Sequence, residues 1–141
     1  MSKLIVGIDG SEGSQRALQW AVEEGRIRNC PVWAVYAVDW QAIREAVLVS
    51  PSDRDVEKEA EELLRHTLSG VRNEAGVEVE CRVLHVKDRR GAPGAMIDVA
   101  DGDDDLIVVG TRGNSAIKGA FLGSISHRLL HYTRRPVVVV P

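Results

Sequence analysis

The chain has 141 residues, 44% of them hydrophobic and 28% charged, with a net charge of −3. That length suits one compact domain, residues 1–141, burying roughly two-thirds of its unfolded surface. The weak acidity excludes the broad positive field that a nucleic-acid polymer needs. Cys30 and Cys81 stand alone without CxxC spacing and read as buried thiols in a reducing compartment. No signal peptide is evident at the N-terminus, and no apolar run approaches the roughly 20 residues that span a bilayer. The expectation is a cytoplasmic protein without membrane or nucleic-acid partners.

Strand and helix patterns alternate along the chain. Leu4 to Ile8 is an apolar run ending at Asp9-Gly10-Ser11, a turn with helix-start chemistry. Ala17, Leu18, Trp20, Ala21 and Val22 then recur at helical spacing, which predicts a helix reaching Gly25. Val32 to Val38 is a continuous β-branched and aromatic run opened by Pro31. Gln41 to Ser52 receives no assignment, and Trp40 reads as a packing residue rather than one that stacks on a base. From Asp53 to Val71, Val56, Ala60, Leu63, Leu64, Leu68 and Val71 line one face of a long helix. Val77, Val79, Cys81 and Val83 alternate with charged residues, the pattern of a strand with one wet face near a sheet edge. Pro93 opens a short helix through Met96, Ile97 and Ala100. The last two strands are Leu106 to Val109 and Val137 to Val140.

The most informative spacing follows Val109. Gly110-Thr111-Arg112-Gly113, nine residues, then Gly123-Ser124-Ile125-Ser126 puts a glycine-rich loop between a strand and a helix marked by Ile125, Leu129 and Tyr132. Glycines let the backbone approach a ligand closely, and a helix N-terminus offers unpaired N–H groups to an anion. A tight strand-to-helix turn with Ser124 as N-cap would account for Gly123-Ser124 equally well.

Strands separated by helices, several of them continuously apolar, predict a mostly parallel sheet covered on both faces. In such sheets ligands bind beyond the strand C-termini, where the strand order reverses. The turns after Ile8 and Val109 would then share one rim.

On these residues the chain resembles the universal stress protein family, in its single-domain, ATP-binding form. Gly110, Gly113, Gly123 and Ser124 match the family's phosphate pattern without a gap. Val6 to Ser14, Gly91-Ala92-Pro93 and Pro136 to Val140 match its other signatures, so the resemblance covers essentially the whole chain. It implies a Rossmann-like, adenine nucleotide α-hydrolase-like α/β fold with five parallel strands in the order 3-2-1-4-5. It also implies ATP and Mg²⁺ as ligands, and a homodimer formed through the last strand. Residue by residue, it places Asp9 and Gly10 near the adenine or the phosphate-bound Mg²⁺ (Asp9 acting on the metal through the phosphates). Val38 is placed against the adenine, Gly110, Arg112 and Gly113 along ribose and phosphates, and Gly123, Ser124, Ile125 and Ser126 on the β- and γ-phosphates.

Other motifs fall short. GxGxxG is absent, and the lysine of Gly113 to Gly119 precedes its glycine, unlike a P-loop. Asp101, Asp103 and Asp105 imitate a calcium loop, but Leu106 stands where glycine is needed, so the segment reads as a solvated acidic turn. His127 and His131 have the spacing of a zinc helix but no catalytic Glu between them, and read as exposed or capping residues. His66 and His85 show no ligand partners. The short apolar stretch Val137 to Val140 is a candidate for pairing with its own copy. Nothing is recognisably placed to activate a phosphoryl acceptor. The expected function is therefore an ATP-binding stress-response regulator that is not an enzyme beyond slow hydrolysis. Two alternatives stand beside it: an ATP-dependent adenylating enzyme of the α-hydrolase type, and a dimeric interaction module independent of nucleotide. ATP, AMP and cyclic nucleotides are not distinguished by these residues.

Overall fold

The structure, a computed structural model, describes residues 2–46, 52–111 and 124–141. In chain order the elements are β1 (Leu4–Gly7), α1 (Glu12–Arg28), β2 (Val32–Val38), α2 (Trp40–Ala46), α3 (Asp53–Ser69), β3 (Val79–His85), α4 (Gly91–Val99), β4 (Leu106–Gly110), α5 (Ser124–Tyr132) and β5 (Val137–Val140). The strands form one sheet in the order β3-β2-β1-β4-β5, and every adjacent pair is parallel. This is the α/β architecture that the alternation of apolar runs predicts.

Each central strand is apolar at consecutive positions because successive side chains enter opposite cores. Leu4, Val6, Val32, Ala34 and Val108 pack with Ala17, Leu18, Ala21 and Val22 of α1 and Leu64 of α3. Ile5, Val35, Ile107 and Val109 pack on the other face with Met96 of α4 and Leu129 of α5. At the edge, β3 keeps Val79, Cys81 and Val83 against the first core and exposes Glu80 and Arg82, as its alternation requires.

Element ends differ from the sequence reading in informative ways. α1 does not stop at Gly25 but continues to Arg28, closed by Asn29 in the left-handed conformation (φ 53°). Gly25 is buried, and a Cβ there would lie 3.0 Å from the Cys30 carbonyl oxygen and 3.1 Å from a Val77 methyl. It serves close packing rather than termination. α3 ends at Ser69 with Gly70 as its cap. α2 forms within the unassigned stretch and buries none of its residues. Its apolar residues Trp40, Ile43 and Ala46 recur at helical spacing over only seven residues, and the Ala42 N–H donating to Asp39 Oδ1 (3.2 Å) helps to start it.

The acidic turn needs the largest correction. Asp105 is not solvated but 1% exposed. Its carboxylate accepts from the Lys3 ammonium (2.7 Å), the Lys3 backbone N–H (3.0 Å) and the Gly102 N–H (2.8 Å). Burial pushes its carboxyl upward, but the Lys3 bonds and the backbone donors outweigh this and hold it below the usual carboxylate range. The sequence offers no local sign of this, because the partner lies at the other end of the chain.

Candidate rim site between β1 and β4

The strand order reverses between β1 and β4. β2 and β3 extend from one side of β1, while β4 and β5 extend from the other. A crevice at this point, beyond the strand C-termini, is where open α/β sheets take ligands. Asp9 follows β1, and Gly110 ends β4.

Asp9 is held by its own turn. Its Oδ1 accepts from the Ser11 N–H (2.9 Å) and the Ser11 hydroxyl. Ser11 caps α1 by accepting from the Ser14 N–H (3.2 Å), an arrangement that satisfies one of the helix's unpaired donors. Gly10 enters the turn at φ 82°, where a side chain would be strained.

Gly110 is fixed from two sides. A Cβ on it would lie 2.9 Å from the backbone C and O of Gly13, so a glycine at position 110 lets β4 meet the first turn of α1 this closely. The Gly110 carbonyl accepts a 2.8 Å bond from the hydroxyl of Ser126, which is only 2% exposed. This bond draws the start of α5 to the end of β4. Ser124, the first residue of α5, is exposed, and Ile125 is half-buried against the α4–α5 core.

Val38, at the end of β2, is buried, and its carbonyl accepts from the Val86 N–H (2.9 Å). Trp40 does pack, as the sequence suggests. Its Nε1–H donates to Nδ1 of His85 (3.1 Å), and the two rings stack at 6.3 Å with an interplanar angle of 7°. Trp40 is thus the hydrogen-bond donor to His85, and Glu57 lies 3.9 Å from the His85 Nε2.

The structure thus places Asp9, Gly10, Val38, Gly110, Ser124, Ile125 and Ser126 on elements that end or begin at one rim. Arg112, Gly113 and Gly123 lie outside the described residues. Sequence reasoning missed two scaffold contacts. One is the Gly13–Gly110 approach. The other is Arg128 of α5, whose guanidinium donates to the carbonyls of Arg89 (3.0 Å) and Arg90 (2.8 Å), joining α5 to the β3–α4 turn. In that turn Arg90 bonds Asp88 and Asp98, and Arg90 holds the Asp88 carboxyl below its usual range. Both contacts needed the fold, since each joins residues far apart in the chain.

A cleft of 550 Å³ lined by Val22, Glu23, Arg26, Arg72, Asn73, Glu74 and Ala75 lies at the opposite end of the sheet. Its charges balance, so it offers no field for a phosphate chain.

Fold, strand order and rim define a doubly wound α/β protein of the kind whose ligands sit at the strand C-termini. Residues 1–141 match the universal stress protein family, and the chain belongs to that family. It is 33% identical over 136 residues to a universal stress protein of Mycobacterium tuberculosis, covering 96% of this chain and 44% of that protein. The chain thus spans less than half the length of this curated relative. Universal stress protein UspA from Lactobacillus plantarum superimposes with a TM-score of 0.75 at 19% identity, covering 99% of this chain and 97% of that one. A universal stress protein solved in complex with cAMP superimposes with a TM-score of 0.59 at 25% identity, covering 99% and 95%.

Proposed function

We propose that this chain is an ATP-binding regulatory module whose rim holds the nucleotide and its Mg²⁺ without rapid turnover. The observation that carries this reading is the Ser126–Gly110 bond. It sets the N-terminus of α5 at the end of β4, beside β1 and its Asp9, at the switch point of the sheet. A helix N-terminus there supplies donors and a favourable field for phosphate oxygens. The donor set fits the ligand: Asp9 brings a hard carboxylate suited to phosphate-bound Mg²⁺, and Ser124 brings an exposed hydroxyl. Gly110, Arg112 and Gly113 line the ribose and phosphates, and Gly123 leaves the phosphate path open. Val38 and its neighbours take the adenine, and bound Mg²⁺ would neutralise phosphate charge.

Ser126 receives a different role from the one its sequence position implies. Its hydroxyl donates to Gly110, so it anchors the loop and leaves phosphate contact to its backbone N–H and to Ser124.

The test is a calorimetric titration of Mg-ATP into the protein and into Gly123→Leu. Loss of binding in a folded variant supports the site, and unchanged affinity overturns it. Steady-state hydrolysis above about 1 s⁻¹, the low end of ordinary enzyme rates, would contradict the regulatory reading. A second reading, preference for an adenosine monophosphate or cyclic nucleotide, is favoured by the cAMP complex of the 25% identical relative. Competition of cAMP and AMP against ATP distinguishes the two. Both the regulatory role and a homodimer built on β5 belong to this proposal.

A further inference from the structure

α5 carries chemistry that the rim does not use. His127 and His131 are one helical turn apart, both exposed, on the face of α5 opposite buried Ser126 and Leu129. Their rings lie side by side, 15° from parallel with centroids 6.3 Å apart. Among the described residues neither ring has a hydrogen-bond partner, and the remaining ring contact is His131 edge-on to Tyr132.

We infer that His127 and His131 form a bidentate surface site for a divalent transition-metal ion of the Zn²⁺, Cu²⁺ or Ni²⁺ class, completed by water. Imidazole nitrogen is the ligand these ions select. Positions i and i+4 stand over one another on a helix, so both rings reach one ion without any backbone change. With metal–nitrogen distances of about 2.0–2.1 Å, two imidazoles on one ion place their centroids roughly 5 Å apart. The observed pair needs to close by about 1 Å, which exposed side chains achieve by rotation within nanoseconds.

Two further features favour a cation here. The pair occupies the last two turns of α5, where unpaired carbonyls make the helix end negative. The neighbouring cation, Arg128, is drawn away to the Arg89 and Arg90 carbonyls. The consequence is mechanical. α5 has nine residues, too few for stability on its own, and an ion bridging its last turns would hold together the helix whose first turn meets the rim.

Tag-free protein would be titrated with Cu²⁺ and Zn²⁺, alongside His127→Gln, His131→Gln and His66→Gln. Expected are one ion per chain, two imidazole nitrogens in the Cu²⁺ electron paramagnetic resonance spectrum, and affinity lower by about tenfold or more in either α5 variant, because a chelate loses its second, effectively intramolecular ligand. His66→Gln should bind as the parent does. Both α5 positions are exposed, so circular dichroism of the variants should match the parent's. A single-nitrogen spectrum, unchanged affinity in His127→Gln or His131→Gln, or binding that follows His66 would overturn the site. So would one ion per two chains, which would place it between subunits. None of these readouts involves nucleotide, so failure here leaves the rim proposal standing.

Discussion

The Ser126 hydroxyl donates to the Gly110 carbonyl over 2.8 Å, so the first turn of α5 and the last residue of β4 are one mechanical unit. The bond spans sixteen positions of the sequence. Gly110 is itself pressed against Gly13, which ties the same unit to the start of α1.

Replacing Ser126 with alanine leaves a part-buried carbonyl without this partner. The expected cost is about 1–2 kcal/mol of stability, read as a lower Tm, together with weaker Mg-ATP binding. Ser124→Ala should separate these effects: its side chain is exposed, so Tm should hold while affinity falls. Equal behaviour of the two variants in both measurements would contradict the division of labour between them.

Much of this was legible from residues alone. The three central strands show because Leu4–Gly7, Val32–Val38 and Leu106–Gly110 are apolar at every position that faces either core. The rim shows because glycines and small hydroxyl residues follow β1 and β4. What stayed hidden depends on distance along the chain. Asp105 looks like part of an acidic turn until Lys3, far away in sequence, is folded against it. α2 is hard to see because it is only seven residues long and none of them is fully buried. Gly25 looks like a helix stop because its real reason, Cys30 and Val77 pressing on it, is tertiary.

The Lys3–Asp105 pair gives the fold a pH window. The Asp105 carboxyl is held below its usual value despite burial, by Lys3 and by backbone donors, so its contribution is complete above the unfolded carboxylate value of about 3.9. It is lost as pH falls through the lower folded value. For Lys3, burial pulls the ammonium down, but the bonds to Asp101 and Asp105 raise it on balance. Its contribution is present below the unfolded value of about 10.4 and is lost as pH rises through the folded one. Asp105→Asn should cost about 3 kcal/mol at neutral pH by taking from the largely buried ammonium its buried carboxylate partner and leaving it only the exposed Asp101. Urea unfolding at pH 7 and pH 3 checks this, with the gap between parent and variant narrowing at the acid end. A constant gap would contradict it.

β5 is the edge strand next to β4, and the Val140 carbonyl accepts from the Thr111 N–H (3.0 Å). By the alternation of a strand, the Val139 N–H then points away from β4 to the open edge. Val138 packs into the α1-side core, so a charge there would disturb folding as well as association. Val139 is half-buried against the opposite core, and Val139→Pro keeps an uncharged apolar ring there while removing an edge donor without removing a ladder bond to β4. It should leave the chain folded and convert the proposed homodimer to monomer in sedimentation analysis. A folded variant that remains dimeric would move the interface away from β5.

The central claim is that the rim holds an adenine nucleotide and keeps it intact. The most direct measurement is to load the purified protein with Mg-ATP, remove free nucleotide, denature the protein and identify what is released by anion-exchange chromatography with mass detection. The account predicts intact ATP, stoichiometric with the chain. Release of no adenine nucleotide, or of ADP alone after brief loading, would contradict it.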